Sequence, residues 1–393
     1  MAGEWRDRLR LGAALVCSAL WLGMAAGWFR GVGRVPVLAD LRNAGPKLRS
    51  HPSVSVVVAA RDEEKAVGLA LRTVMEQDYA GRLEIVAVDD RSTDGTGDIL
   101  ADLASEVPGT LRRIRVDGLP EGWLGKNHAL WVGAEQAAGE WLLFTDADVR
   151  FAPDCIGLAV RHAIGEGLDH LTLAPELVSR GVALKSFVAA FVLVFEVTQR
   201  PWRASDPHAK ESVGVGSFNL VKKEAYVRAG THRAIAVRPD DDLKLGEILK
   251  RAGFRQGVAY GLETVRVEWH RTLAGAVRGL EKSMFPGVDY RPSTALLASL
   301  ALFATNVLPF VGAAFARRTA ARLLFGLDVA LVFAMYARGA RRSGTPAYYA
   351  ALHPFGVAVL IFAMLRSTYT TLARGGIEWR GTFYPLALLK NET

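Results

Sequence analysis

The sequence predicts an α/β domain with a doubly wound, mainly parallel sheet, joined to a membrane by apolar helices before and after it. Two patterns predict this class. From Ser53 to Asp148, runs of strand length alternate with segments of helical spacing, which is typical of parallel sheets with crossover helices. Apolar stretches flank this region, one from Leu11 to Phe29 and three between Leu296 and Tyr369, and about 20 apolar residues are enough to cross a bilayer.

Four strands and three helices follow one another in the first part of the domain. The predicted strands are "SVSVVVAA", "LEIVAVDD", "LRRIRV" and "EWLLFTDAD", and the predicted helices are "EEKAVGLALRTVMEQ", "GTGDILADLASEV" and "KNHALWVGAEQAA". In such sheets, ligands bind beyond the carboxyl ends of the strands. Those ends carry acidic residues here, at 61–64, at 89–90, and at Asp146 and Asp148. We therefore expect three acidic strand ends to converge on one edge of the sheet.

The first apolar stretch predicts an uncleaved membrane anchor rather than a signal peptide, because its apolar run is longer than a usual signal-peptide core. Of the three C-terminal stretches, the second is short and carries Asp328, so it is a marginal span. "FVAAFVLVF", from Phe187 to Phe195, is too short to span a bilayer. Its phenylalanines recur every four residues, which predicts either core packing or a lipid-facing wall.

The net charge of +8 includes a basic cluster directly after the anchor. Its members are Arg30, Arg34, Arg42, Lys47 and Arg49. Positive flanks mark the cytoplasmic side of a membrane segment, so we expect a multi-pass protein of the cell membrane whose α/β domain faces the cytoplasm. No basic stretch is interleaved with aromatic residues, so a nucleic-acid partner is not predicted. Cys17 and Cys155 are the only cysteines and allow no disulfide framework or cysteine metal site.

These patterns divide the chain into six segments. They are an anchor at 1–29, a basic linker at 30–52, the α/β domain at 53–265, an amphipathic interfacial helix at 266–290, the C-terminal transmembrane segments at 291–370 and a tail at 371–393. One anchor and three C-terminal spans would place both termini on the side opposite the domain. Arginines occur in both short loops between the C-terminal stretches, which conflicts with the usual charge bias. A re-entrant second stretch would remove this conflict.

Asp146 and Asp148 point to a divalent cation. Two unpaired buried carboxylates would be costly, whereas a hard cation such as Mg²⁺ or Mn²⁺ prefers oxygen ligands. No dinucleotide fingerprint follows the first strand and no P-loop occurs, so the phosphates of a nucleotide would have to be met through such a cation. Two aspartates spaced one apart are weak evidence alone. Their position at the end of the fourth strand, after the turn "VDDRSTDGT", makes the prediction stronger.

Six motifs follow one another between Ser53 and about Tyr290. They are "VVAARDEE", "VAVDDRSTDGT", "GWLGKNHAL", "FTDADVRF", "GVGSFNLVKKEAYVRAGTH" and "DDDLKLGEILKRAGFR". In this order they resemble a membrane-attached family 2 glycosyltransferase of the GT-A fold. The tail "GGIEWRGTFY" is more loosely similar to members linked to carotenoid and hopanoid-like lipids. The resemblance implies an inverting, metal-dependent enzyme that moves one sugar from a nucleotide sugar, with a UDP-sugar favoured, to a lipid-like acceptor.

The resemblance also implies a nucleotide pocket at the first two strand ends. Asp89 or Asp90 would bind the nucleotide base, and Ala59, Arg61 and Glu63 would line its pocket. The carboxylate of Asp89 could instead only cap the turn, as aspartates often do.

By the same resemblance, Asp146 and Asp148 would hold Mg²⁺ or Mn²⁺ on the diphosphate, with His270 as a further ligand. Lys126 would add positive charge near the nucleotide. The plainer alternatives are a surface lysine at a helix start and a satisfied surface histidine.

The general base implied by the resemblance is Asp242, with Asp241 as the second candidate. It would take the proton from the acceptor hydroxyl as that hydroxyl attacks the anomeric carbon. The alternative for this acidic run is a helix start, where carboxylates interact favourably with the helix dipole.

Three other functions fit the sequence less well. A processive polysaccharide synthase would carry a Gln-x-x-Arg-Trp motif after the base, and none follows Asp242, while "QRPWR" at Gln199 lies before it with different spacing. A phosphatase of the haloacid dehalogenase type would have Thr or Val where Arg150 stands. A non-catalytic membrane scaffold with a dead transferase domain would not need the complete set of acidic motifs.

Overall fold

A computed structural model describes residues 2–44, 48 and 50–390, with only the backbone for residues 2–10. Lys47 and Arg49 of the basic cluster, and the last three residues of the tail, lie outside the described residues. The chain forms two compact units. An α/β unit comprises Val35–Val178, Pro201–Glu268 and Glu378–Thr393, and a helical unit comprises Met1–Arg34, Ser179–Arg200 and Trp269–Ile377.

An eight-stranded sheet forms the centre of the α/β unit, with the strand order β3-β2-β1-β4-β7-β6-β8-β5. The strands are β1 (Val54–Ala60), β2 (Leu83–Asp90), β3 (Leu111–Val116), β4 (Trp141–Asp146), β5 (Arg150–Phe151), β6 (His170–Leu177), β7 (Asn219–Lys222) and β8 (Gln256–Val267). Only β5 and β7 run opposite to the other strands of this sheet. The predicted mainly parallel α/β class is confirmed.

The helices, in contrast, are shared between the two units. In chain order they are α1 (Ala2–Val32), α2 (Val67–Met75), α3 (Thr96–Glu106), α4 (Gly125–Gln136), α5 (Cys155–Gly165), α6 (Val182–Gln199), α7 (Lys223–Arg228), α8 (Asp241–Arg251), α9 (Leu273–Leu280), α10 (Pro292–Leu302), α11 (Leu308–Phe315), α12 (Thr319–Ser343), α13 (His353–Arg374) and α14 (Leu386–Lys390). A short π-helix, Phe303–Val307, joins α10 to α11. After α13, a two-stranded sheet follows, made of β9 (Gly376–Trp379) and β10 (Thr382–Pro385).

Both faces of the sheet are buried, which explains the uninterrupted valine run of β1. Val56 and Val58 belong to one hydrophobic core, together with Leu71 of α2. Val57 points to the other core, which includes Leu130 of α4. A strand covered on both sides needs apolar residues at every position, and each buried valine contributes about 1.5–3 kcal/mol.

Five helical segments of the described chain are long and apolar enough to cross a membrane, by length and composition. They are Leu11–Val32, Val182–Arg203, Pro292–Phe315, Thr319–Ser343 and Ala347–Arg374. The prediction that the second C-terminal stretch is short was wrong, because α12 continues through arginines at both ends, whose long side chains can reach the membrane surface. These segments are compatible with membrane association.

Helix α6 is longer than the sequence predicted, so the prediction that this segment is too short to span a bilayer was wrong. The helix extends beyond "FVAAFVLVF" on both sides, to Val182 and Gln199. Within the helical unit, its Glu196 accepts a hydrogen bond of 2.7 Å from the Trp28 indole, which satisfies a polar group in an apolar setting. However, β6 precedes α6, β7 follows it, and these strands pair in one sheet. A single crossing by α6 would separate them across the bilayer.

The segment predicted to be an interfacial helix at 266–290 contains several elements. β8 extends to Val267, α9 covers Leu273–Leu280, and a 3₁₀ turn lies at Pro286–Val288. Its position in a membrane interface stays a prediction.

Candidate active site

The carboxyl ends of β1, β2 and β4 lie level with one another. In the sheet register, Ala59 is opposite Val88 on one side and Asp146 on the other, and Ala60 is opposite Asp89. Parallel strands in register end at the same edge of the sheet. The expected convergence of the three acidic strand ends is therefore confirmed.

The turns that follow β1 and β2 are tied together by hydrogen bonds. The Asp62 carboxylate accepts from the Thr93 backbone N–H at 2.8 Å. The Glu64 N–H donates to the Asp94 carboxylate at 3.1 Å, and the Glu64 carboxylate accepts from the Gly95 N–H at 3.0 Å. Three acidic side chains thus serve the backbone of these turns, which fixes the two strand ends relative to each other.

The Asp89 side chain is buried and bound by its own turn and by two arginines. Its carboxylate is fully buried, accepts from the Ser92 N–H at 3.1 Å, and lies 3.0 Å from Arg115 and 3.3 Å from Arg113. These contacts favour the turn-capping interpretation of Asp89. Of the two candidates, Asp90 is therefore the better one for a direct contact with a nucleotide base.

Asp90 lies among the other residues predicted for the nucleotide pocket. Arg91 donates to both oxygens of the Asp90 carboxylate, at 2.8 and 3.1 Å, and the Arg61 guanidinium lies 3.9 Å away. A Cβ at Gly125 would collide with this carboxylate, so glycine at the start of helix α4 leaves room for the Asp90 side chain in this position. The Gly125 N–H donates to the hydroxyl of Tyr384 at 3.1 Å, a residue of the C-terminal tail.

The tail contributes three further hydrogen bonds to the same strand ends, through Arg380 and Thr382, two residues that were not predicted to belong to the site. Arg380 donates to the Glu63 carboxylate and, at 2.8 Å, to the Arg61 carbonyl. The hydroxyl of Thr382 accepts from the Arg61 guanidinium at 3.3 Å. The looser likeness of "GGIEWRGTFY" to membrane-attached relatives was the one sequence signal for this segment.

Lys126 connects the end of β4 to the start of α8. Its ammonium lies 2.8 Å from the Asp146 carboxylate and 3.1 Å from that of Asp241. Burial acts to lower the pKa of Lys126, but the carboxylates of Asp146, Asp241 and Asp242 outweigh it and raise the pKa above its usual range. The structure therefore places Lys126 in ion pairs between two carboxylates rather than as a plain surface lysine, and its role beside a nucleotide stays a prediction.

Asp148 lies among other carboxylates. Burial, together with the charges of Asp146 and Glu63, raises its pKa to about 7. Such crowding of carboxylate oxygens suits a hard cation. No group of three or more His, Cys, Asp or Glu side chains is arranged to hold a metal ion among the residues with a described position. Asp146 and Asp148 would thus supply one or two ligands, as is usual for Mg²⁺ bound together with substrate phosphates.

His270 belongs to the helical unit, where its ring lies 4.8 Å from that of Trp269. Burial lowers its pKa to about 4. Its role as a metal ligand stays a prediction.

The two candidates for the general base differ in their contacts. Asp241 is buried and paired with Lys126. The carboxylate of Asp242 instead accepts backbone N–H groups of Gly216 and Leu243, each at 2.8 Å. Burial and the neighbouring charge of Asp241 raise the pKa of Asp242 to about 6. The raised pKa of Asp242 suits a base, whereas the Asp241 carboxylate is held in an ion pair with Lys126.

A glycine loop lies against these carboxylates. A Cβ at Gly214 would collide with the Asp242 carbonyl, and one at Gly216 would lie 2.8 Å from the Asp146 carboxylate. The motif "GVGSFN" therefore needs glycine at 214, where the clash is with backbone, and glycine at 216 leaves room for the Asp146 side chain.

A buried network holds this loop from behind. The amide of Gln256 donates to His170 Nδ1 at 2.7 Å, and His170 Nε2 lies 3.0 Å from the Asn219 carbonyl oxygen. The same two amides accept from the loop, from Val213 N–H at 2.9 Å and Val215 N–H at 3.3 Å. Since Nδ1 accepts, the proton lies on Nε2. Burial lowers the pKa of His170 to about 4, so the ring is neutral.

Residues 55–226 match the family model described as Glycosyl transferase family 2. Two 4,4'-diaponeurosporenoate glycosyltransferases of Staphylococcus aureus, from strains bovine RF122 / ET3-1 and USA300, are 26% and 25% identical over 187 residues. These matches cover 47% of this chain and 48% of each relative, so the chain spans about half the length of the curated relatives it matches.

A solved structure of a mannosyltransferase from Pyrobaculum calidifontis, in complex with GDP-Man and Mn2+, has a similar fold. It superimposes with a TM-score of 0.56 and 19% identity, covering 90% of this chain and 99% of that one. At this identity the likeness concerns the fold. This likeness shows the GT-A fold, and the matched region, residues 55–226, is similar to family 2 glycosyltransferases.

Proposed function

We propose that the protein is an inverting glycosyltransferase that moves one sugar from a UDP-sugar to a lipid-like hydroxyl or carboxyl at the cytoplasmic face of the membrane. One observation carries this proposal. Asp146, Lys126, Asp241 and Asp242 line a single small cavity, so the strand end suited to a diphosphate and the helix start suited to a base meet there.

The donor side of the proposal rests on charge. Asp146 and Asp148 would hold Mg²⁺ or Mn²⁺, which when bound stabilises the leaving diphosphate as a Lewis acid. The solved mannosyltransferase of the same fold contains GDP-Man and Mn2+, which supports a nucleotide-sugar donor with a divalent ion. Lys126 adds a fixed positive charge beside Asp146. Asp90, Arg61 and Glu63 would receive the nucleoside.

The acceptor side rests on Asp242. Its carboxylate takes the proton of the acceptor hydroxyl while the acceptor oxygen forms its bond to the anomeric carbon. The bond between that carbon and the diphosphate oxygen breaks in the same step, and the nucleoside diphosphate leaves. Attack from the face opposite the leaving group inverts the anomeric centre. The Gly216 and Leu243 N–H groups orient the carboxylate for this transfer.

The acceptor is proposed to be a lipid because of the apolar helices and the named relatives. The relatives are glycosyltransferases of 4,4'-diaponeurosporenoate, an acid, so a carboxyl acceptor is included in the proposal. An acceptor carboxyl is already ionised at neutral pH and would need no base, whereas a hydroxyl would need one.

Two measurements test the function. The full-length protein in detergent is incubated with UDP-sugars or GDP-sugars and a lipid extract, and release of the nucleoside diphosphate is followed. In parallel, lipids from cells with and without the protein are compared by mass spectrometry. We expect one new glycolipid carrying a single sugar. A ladder of sugars would indicate a processive synthase, and no release with any donor would indicate a non-catalytic scaffold.

A further inference from the structure

We propose that Arg380, at the tip of the C-terminal hairpin formed by β9 and β10, belongs to the donor site and binds the donor diphosphate. This inference rests on the proposed function, because it takes the donor to be a nucleoside diphosphate sugar. Residues from Glu378 onward belong to the α/β unit, as do Arg61, Glu63, Asp90, Lys126, Asp146 and Asp148 of the proposed donor site.

The backbone of the hairpin tip is unfavourable for arginine. Arg380 and Gly381 connect the two strands and have φ angles of +51° and +70°. Two-residue hairpin turns with positive φ at both positions favour Asn, Asp or Gly at the first, and a long side chain is uncommon in this region. A residue held in a sparsely populated conformation is a reason to look for a function of its side chain.

The side chain of Arg380 lies where the donor is proposed to bind. It donates to the Glu63 carboxylate and to the Arg61 carbonyl, in the turn at the end of β1. Along the next strand, Thr382 contacts Arg61 and Tyr384 receives the first N–H of α4 from Gly125. The hairpin therefore joins the end of β1 to the helix start that carries Lys126.

The charge around the tip favours a phosphate as the ligand of Arg380. The neighbouring strand ends are rich in carboxylates, and a diphosphate needs cations to bind there. Lys126, Arg91 and Arg380 are each paired with a carboxylate, but the Lys126 and Arg91 side chains are only 21% and 19% exposed. The Arg380 side chain remains 45% exposed beside Glu63, so a ligand can reach it, and the planar guanidinium fits phosphate oxygens in pairs.

The substitution Arg380→Gly separates this role from a structural one. Glycine is preferred at a positive φ, so the turn is kept or improved while the guanidinium is lost. Binding of UDP, with GDP in parallel, is measured by calorimetry on the full-length protein in detergent with Mn²⁺. We expect UDP affinity to fall about 10- to 100-fold, the usual range for a lost hydrogen bond to a charged group. The Tm without nucleotide should stay the same or rise.

A control and a graded variant complete the test. Phe383→Ala removes an exposed side chain from the same hairpin and should leave UDP affinity unchanged. Arg380→Lys keeps the positive charge but loses the planar guanidinium that can donate two hydrogen bonds to one phosphate. It should lose less UDP affinity than Arg380→Gly.

Several outcomes would overturn the inference. Unchanged or tighter UDP binding by Arg380→Gly would show that Arg380 is outside the site or holds it closed. A large fall in the Tm of Arg380→Gly would show that the Arg380–Glu63 pair stabilises the fold rather than binding the donor. Wild-type protein that binds neither UDP nor GDP would refute the proposed donor itself, and this inference with it.

Discussion

The Lys126 ammonium lies 2.8 Å from the Asp146 carboxylate, so the strand end in "FTDADVRF" is paired with the helix start in "GWLGKNHAL". The same ammonium is 3.1 Å from Asp241 at the start of α8. One lysine thus brings together the three segments on which both halves of the proposed reaction depend. The following predictions separate the donor half from the acceptor half.

Asp148→Ala tests the donor half. The substitution removes a proposed metal ligand, so the diphosphate charge is left less well neutralised. UDP affinity should fall and lose its dependence on Mg²⁺ or Mn²⁺, as measured by calorimetry with and without metal. Asp154→Ala is a matched control, because Asp154 pairs with Arg42 on the surface. Full metal dependence in Asp148→Ala would remove Asp148 from the proposed site.

Asp242→Asn tests the acceptor half. The amide is nearly isosteric but cannot take a proton, and a positioned base contributes roughly 10²–10⁴-fold to rate. Sugar transfer to a hydroxyl acceptor should fall by that order while UDP binding persists. Transfer to a carboxyl acceptor should fall much less, since that group is already ionised. The pattern of loss therefore reports the acceptor class.

Asp241→Asn is the counterpart of that experiment. This residue is paired with Lys126, so its loss should alter UDP binding more than the proton-transfer step. If Asp242→Asn transfers normally to a hydroxyl and Asp241→Asn does not, the base is Asp241.

The pH dependence of transfer should follow Asp242. Burial and Asp241 raise its pKa from the ordinary value of 3.8 to about 6, and the base must be ionised to act. With a hydroxyl acceptor, kcat/KM should rise as pH increases through about 6. This rise should be absent from the pH profile of Asp242→Asn.

Stability should respond to the same group in the opposite direction. Because the folded pKa is above the unfolded one, the folded state binds the proton more tightly between pH 3.8 and about 6. The contribution of Asp242 to the free energy of unfolding therefore falls as pH rises through this window. The free energy of unfolding is measured with denaturant at pH 4 and at pH 7, and its loss between the two values should be larger in wild type than in Asp242→Asn. An equal loss in both proteins would contradict the raised pKa.

The sequence predicted the part of the fold whose patterns are local. β1, β2 and β4 were identified because each has a clear run of apolar residues ended by charged or turn residues, and the short β3, "LRRIRV", was identified from its place between two helical segments. The strands β6 to β8 were not predicted. β8 contains two glycines and Glu263 at a φ of +65°, and its pairing with β6 shifts register at Pro175 and Glu176, which obscures any period of two.

The site was predicted at its strand ends and missed at its long-range contacts. Asp146, Lys126 and Asp242 lie in motifs that local sequence reveals. Tyr384, in contrast, reaches Gly125 across 259 residues of chain, and no periodicity signals such a contact.

The histidine behind the glycine loop should act on catalysis through position. His170→Ala leaves the Asn219 and Gln256 amides without one partner each, and an unsatisfied buried polar group costs about 1–3 kcal/mol. We expect a stability loss of that order, a lower kcat and a nearly unchanged KM for the donor, because the loop presents Gly216 to Asp242. His208→Ala, at an exposed position, should change none of these. A raised donor KM with normal kcat would contradict the assigned role.

The tail also restricts the membrane topology. Arg380 and Tyr384 hydrogen-bond to Glu63 and Gly125, so in a membrane-spanning chain the residues from Glu378 onward would have to lie on the same side of the bilayer as the rest of the α/β unit. Three crossings after β8 would place the tail on the opposite side, and the expectation of three C-terminal spans conflicts with these contacts. We therefore expect an even number of crossings among the three C-terminal candidate segments.

Reporter fusions measure this directly. A fluorescent protein that matures only in the cytoplasm, fused after Thr393, should fluoresce, and a periplasm-dependent phosphatase at the same position should be inactive. Fusions in the loop before Thr319 and in the loop after Ser343 then show which segment does not cross. Only the first loop is external if the third segment does not cross, and only the second loop is external if the first segment does not cross. Both loops are external if the middle segment does not cross. An active phosphatase after Thr393, together with a cytoplasmic α/β unit, would contradict the hydrogen bonds of the tail and the proposed role of Arg380 with them.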